Sequence, residues 1–178
     1  MTVERTAGMW DESVFEGAIK DFISDRNVHT GATRETALKA AVDRIVELVG
    51  VDNFYVGDQA LESTVLDRLD TTQKTLVDIT CFDVAKDPLT GASLHKQVRT
   101  NFWVQLDICT KSRYQATAVK REIESILMLG VSLTYENETV TLDKPTSKMK
   151  STPAKYQDAG YWWAIIKLPL FCDITGAV

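Results

Sequence analysis

With 178 residues, 44% of them hydrophobic and 25% charged, the chain is long enough to bury one sizeable core without a disulfide or metal staple, and too apolar to be largely disordered. Twenty lysines and arginines stand against 25 aspartates and glutamates, a net charge of −5. That balance excludes a protein that coats nucleic acid through bulk charge.

The first regular pattern is helical. In SVFEGAIKDFISD, Val14, Phe15, Ala18, Ile19, Phe22 and Ile23 recur on a 3.6-residue period, and Ser13 with Glu16 fits a capping box. The polar stretch 25–32 reads as a loop. A second amphipathic helix follows, with Thr33 as its expected N-cap, Leu38, Ala41, Val42, Ile45, Val46 and Val49 as its stripe, and Gly50 at its C-terminal end. Residues 51–73 are ambiguous, with Phe54, Tyr55 and Val56 as a short strand and 61–69 as a turn or two of helix.

From Lys74 the period changes to two. Val77, Ile79 and Cys81 point one way, Asp78 and Thr80 the other. Asp-Pro and Thr-Gly steps mark turns in the loop 85–97. The next strand places Phe102, Val104, Leu106 and Ile108 on one face and Trp103, Gln105, Asp107 and Cys109 on the other. These two strands are expected to form an antiparallel hairpin with a long tip. A third helix opens on a Ser112/Gln115 capping box and carries Ala116, Val119, Ile123, Ile126 and Leu127 as its stripe. Residues 131–135 and 139–142 alternate around Glu136-Asn-Glu138 as a small hairpin.

Residues 143–160 read as a flexible basic loop. Between Lys144 and Gln157 lie Lys144, Lys148, Lys150 and Lys155 and no acid. These lysines are candidates for contact with DNA or an acidic partner, or simply keep a linker solvated. The chain ends in the strand YWWAIIKLPLFCDI. The whole reads as a single α+β domain over 1–178, with a mainly antiparallel sheet, helices packed on one face, and an N-terminal helical extension over 1–32.

The last strand is apolar on both sides: Trp162, Ala164, Ile166, Leu168 and Leu170 alternate with Tyr161, Trp163, Ile165 and Phe171. Three helices can cover one face of a sheet. Cover for the second is expected from another subunit, or from the loops 85–97 and 143–160 folding back. Trp162, Trp163, Ile165 and Phe171 are therefore the expected subunit-interface residues. Pro169 places this strand at or near a sheet edge.

Catalytic chemistry finds little footing. His29 and His95 both fall in expected loops and read as surface residues. Cys81, Cys109 and Cys172 sit in apolar stretches without a CxxC, which fits buried thiols in a reducing cytosol. Asp78, Asp107 and Lys111 form the one cluster to weigh as a small metal-dependent nuclease, although the Glu-x-Lys pair usual in such enzymes is missing. No phosphate-binding glycine motif is present, and no cofactor or metal is expected. The start MTVERTAGMWDES has no apolar region of a signal peptide, and no run of about 18 apolar residues reads as a membrane span.

The segment FWVQLDICTKSRYQATAVKREIESILMLG resembles part of the bacteriophage tail terminator (tail completion, head-tail joining) proteins. In that family a long strand of the type hydrophobic-x-hydrophobic-Asp-hydrophobic runs into a short Thr/Lys/Ser link. A helix with a small-residue-rich start follows, then small strands and an apolar terminal strand. The corresponding parts here are residues 104–108, 110–112, 116–129 and 161–171, and the similarity spans about residues 33–173. The helix at 11–25 and the loop at 143–160 exceed what the smallest members carry. The resemblance implies a structural, non-enzymatic virion protein, assembled in the host cytoplasm. It would form a homohexameric ring that caps the tail tube protein, stops its polymerisation and faces the head completion or connector protein. Genomic DNA would pass through the lumen without sequence-specific binding. A head completion or connector role in the neck is the alternative of the same class.

Overall fold

A computed structural model describes residues 12–57, 75–88, 97–129, 132–135, 138–142, 146–150 and 160–175. The elements are α1 (Glu12–Ser24), α2 (Glu35–Val49), β1 (Phe54–Val56), β2 (Leu76–Pro88), β3 (Gln97–Thr110), α3 (Arg113–Met128), β4 (Ser132–Tyr135), β5 (Glu138–Leu142), β6 (Thr146–Lys150) and β7 (Trp162–Thr175). Among the described residues no helix is long and apolar enough to cross a membrane.

The helical stripes do what their period requires. Phe15, Ile19 and Ile23 of α1, Leu38, Ala41, Val42, Ile45 and Val49 of α2, and Ala116, Val119, Ile123 and Ile126 of α3 are buried in one cluster. Their sheet partners are alternate strand residues: Val77, Ile79 and Cys81 of β2, Val104, Leu106 and Ile108 of β3, and Ala164, Ile166 and Leu168 of β7. The tie from α1 to the sheet is also polar, because Glu16 is buried and its Oε1 accepts the Cys81 N–H at 2.9 Å.

Two helix starts differ in kind. At α3 Ser112 caps as expected, accepting the Gln115 N–H at 3.4 Å. The Gln115 side chain does not close the box; its Nε2 reaches across to the Leu48 carbonyl at 3.2 Å and so ties α3 to the end of α2. At α2 the expected Thr33 cap is not used. Arg34 sits in the left-handed region at φ 65°, and Glu35 Oε2 accepts the Gly31 N–H at 2.7 Å. Gly50 ends α2 at φ 91°, a conformation open to glycine, with its N–H on the Val46 carbonyl.

The seven described strands form one mixed sheet in the order β1-β2-β3-β7-β5-β4, with β6 also on β7. β1 runs parallel to β2; the other pairings are antiparallel. The β2–β3 hairpin is longer than the turn signals indicate. Its strands continue to Pro88 and resume at Gln97, with a register shift between Phe82 and Ala85. Two further expectations are corrected here. Residues 143–160 are not loop throughout: Thr146–Lys150 is a strand on β7. Nor is β7 an edge; it lies inside the sheet between β3 and the β5/β6 side. Pro169 fits there because the register on that side shifts across its position. β5 pairs as far as Leu142↔Leu170 and β6 resumes at Thr146↔Lys167, one residue out of step. A proline with no N–H to give is tolerated at such a shift.

Candidate functional site

The second face of the sheet gathers the polar strand residues. Cross-strand register sets three rows: Leu76–Cys109–Trp163, then Asp78–Asp107–Ile165, then Thr80–Gln105–Lys167. Side chains of one row share a face, so Asp78 and Asp107 are direct neighbours, both buried. Asp107 is held by two donors: Trp163 Nε1–H reaches its Oδ1 at 2.7 Å, and Gln105 Nε2–H reaches its Oδ2 at 2.6 Å. Leu76, Cys109, Tyr161, Trp163 and Ile165 form a second apolar cluster around this pair, with Tyr55 packed against it. Burial and the nearby Asp107 charge push the Cys109 thiol up to about 12.

This geometry corrects the interface expectation for two residues. In a single chain Trp163 keeps 3% and Ile165 4% of its surface exposed. The sequence argument needs a neighbour to shield them, but they are already shielded, and β6 runs in register beside them with Lys148↔Ile165 and Lys150↔Trp163. Trp162, on the alternate face, is 42% exposed. Phe171 belongs to β7, and its side chain lies outside the described residues.

The nuclease cluster is brought together only in part. Asp78 and Asp107 meet, but Lys111 lies about 13 Å further along the chain at the usual strand rise, with its Nζ 5.5 Å from the centre of the Tyr161 ring. Both Asp107 oxygens serve protein donors, the buried Trp163 indole and the half-buried Gln105 amide. Among the described residues no group of three His, Cys, Asp or Glu side chains could hold a metal ion. Asp107 thus serves as the acceptor that lets the Trp163 indole be buried and holds the Gln105 amide.

Of the basic candidates, Lys148 and Lys150 lie in β6, while Lys144 and Lys155 fall outside the described residues. His29 is no surface residue. It is buried in a short 3-10 helix, Arg26–His29, with Nε2 2.7 Å from the Phe22 carbonyl and its ring edge-on to Phe22. His95 lies outside the described residues. Cys81 and Cys109 are buried thiols outside any disulfide, as their apolar settings imply, and the Cys172 side chain lies outside the described residues.

The sequence reading also passes over Arg113 and Tyr114. They stand exposed at the first turn of α3, outside its apolar stripe, and the Arg113 guanidinium lies 5.6 Å over the Trp162 ring. The run Lys111-Ser-Arg-Tyr114 is visible as a polar corner. Its aromatic partner is 49 positions away, and only the Thr110↔Trp162 register brings it near.

No protein-family model matches the sequence, and no curated protein matches it.

Proposed function

We propose that the protein works by assembly, as the ring subunit that ends a phage tail tube and joins it to the head connector. The observation that carries this reading is a mismatch of lengths. β2, β3 and β7 contain 13, 14 and 14 residues, and α3, the longest described helix, contains 16. At about 3.3 Å per strand residue and 1.5 Å per helix residue, the strands run about 45 Å and the helix about 24 Å. The described helices are too short to back the whole length of these strands, and in this reading the rest of the paired ribbon is the surface that meets other subunits. In this reading the helices pack on one face, six copies close by a head-to-tail contact, and the protein resides in the virion.

The resemblance supplies the specific role. Its long strand, short link, helix, small strands and terminal strand correspond in order to β3, the turn at 111–112, α3, β4 with β5, and β7. The test is electron microscopy of the purified full chain, alone and with tail tubes. Rings of six copies, or density capping one end of each tube, are expected. Particles of monomer size that leave tube ends bare and tube length uncontrolled overturn the proposal.

A further inference from the structure

Two oppositely charged patches lie side by side at the end of the sheet where β3 stops and β7 begins. The first is cationic and aromatic. Lys111, Ser112, Arg113 and Tyr114 are consecutive and exposed, Tyr114 by 86%. Arg113 lies over the 42% exposed Trp162, and Lys111 over Tyr161. The first turn of α3 holds no acid. The second patch is acidic and apolar. Glu47, Val51 and Asp52 are exposed at the end of α2, Val51 by 68%. The Gln115–Leu48 hydrogen bond fixes this end of α2 against the first turn of α3.

Within one chain the patches do not neutralise each other. Arg113 lies over the Trp162 ring, and neither Glu47 nor Asp52 has an ion-pair partner among the described residues. Elsewhere on the helices the charges do pair, as in Arg26–Asp43, Arg44–Glu122 and Lys120–Glu124. Arginine, tyrosine and tryptophan are the types enriched at the energetic centres of protein interfaces.

We propose that this corner is a two-fold contact between copies of the chain, in which Arg113, Tyr114 and Trp162 of one copy receive Glu47, Val51 and Asp52 of the other. A two-fold axis is the operation that lets side-by-side complementary patches satisfy each other twice. Acids beside the cations, on a chain of net charge −5, disfavour a polyphosphate partner and suit an acidic segment of a second copy. The contact does not depend on the ring reading. It pairs protomers whether they are otherwise alone or in rings.

The test is sedimentation velocity on the full chain from low to high micromolar concentration. A reversible pair of 19.9 kDa chains is expected, weaker at higher salt. Arg113→Glu and Asp52→Lys should each weaken pairing about tenfold or more. Circular dichroism of both variants checks that these exposed substitutions leave the fold intact. Mixing the two variants should restore pairing, since a mixed pair holds Arg113 against Asp52 at one contact and the two swapped charges at the other. A chain that stays monomeric throughout, association unmoved by either variant, or a mixture no tighter than its components overturns the proposal. A six-fold species indifferent to these variants does so too, and leaves the ring reading standing. Binding of a single-stranded oligonucleotide lost in Arg113→Glu, without self-association, assigns the patch to nucleic acid instead.

Discussion

The indole N–H of Trp163 donates to Asp107 Oδ1 at 2.7 Å across adjacent strands, with both side chains buried. A carboxylate and an indole each cost free energy when buried alone; together, with Gln105 on the other oxygen, they are mutually satisfied. Asp107→Ala strands two donors and should destabilise the fold by about 2–4 kcal/mol. Trp163→Phe keeps most of the ring but removes one donor, and should cost about 1–3 kcal/mol. Urea unfolding of the two variants and their double tests this. Costs that simply add show that the pair is uncoupled and the account wrong.

Cys109 lies in the row beside that pair. Its thiol is shifted from 9.0 to about 12, first by burial and then by the Asp107 charge. At pH 8 only about one native Cys109 in ten thousand is then thiolate, so it is unreactive. In a Cys172→Ser background, a thiol reagent should label neither Cys81 nor Cys109 until denaturant is added. The stability consequence has a fixed sign. Because the folded value is raised, the native state holds its proton longer than the unfolded chain. This contribution is intact below pH 9 and is lost between about 9 and 12. Unfolding free energy should fall more steeply with pH in that window in the parent than in Cys109→Ala. Identical slopes count against a buried thiol.

Strand alternation is the most legible part of the sequence. Val77, Ile79 and Cys81, then Val104, Leu106 and Ile108, then Ala164, Ile166 and Leu168, separate to one side by period two alone, and they meet in one cluster. Register is not written in that pattern. The meeting of Asp107 with Trp163, or of Arg113 with Trp162, needs the pairing of β3 with β7. Thr146–Lys150 reads as loop because its local composition is polar and lysine-rich, yet it becomes a strand because β7 offers it a ladder of backbone groups. The second apolar face of β7 is readable, but its cover is not. Trp163 and Ile165 are enclosed by the chain's own fold, which alternation cannot foresee.

His29 reads as a surface residue because its neighbours in 25–32 are polar. In the fold it meets the end of α1, where the Phe22 carbonyl is 2.7 Å from Nε2. A carbonyl only accepts, so Nε2 carries a proton there. His29→Ala removes a buried ring and leaves that carbonyl without this donor, and should destabilise by about 2–4 kcal/mol. Thermal or urea unfolding checks this. A change below about 0.5 kcal/mol, the range of ordinary surface sites, would return His29 to the surface.

The N-terminal helix reads as an extension added to a compact body, but its side chains make it part of that body. Phe15, Ile19 and Ile23 are buried in the same cluster as the strand residues, and Glu16 accepts the Cys81 N–H just before the β2 register shift. Phe15→Ala opens a cavity in the central core and should cost about 3–5 kcal/mol. Glu16→Ala takes the acceptor from a buried N–H beside an irregularity in the strand, and should cost about 1–3 kcal/mol. In native-state hydrogen exchange the Cys81 amide should then exchange faster in Glu16→Ala than in the parent, by more than the global loss of stability explains. If α1 is a detachable appendage, Phe15→Ala melts only that helix, and the protection of β2, β3 and β7 stays unchanged; global loss of protection is the outcome expected from the packing.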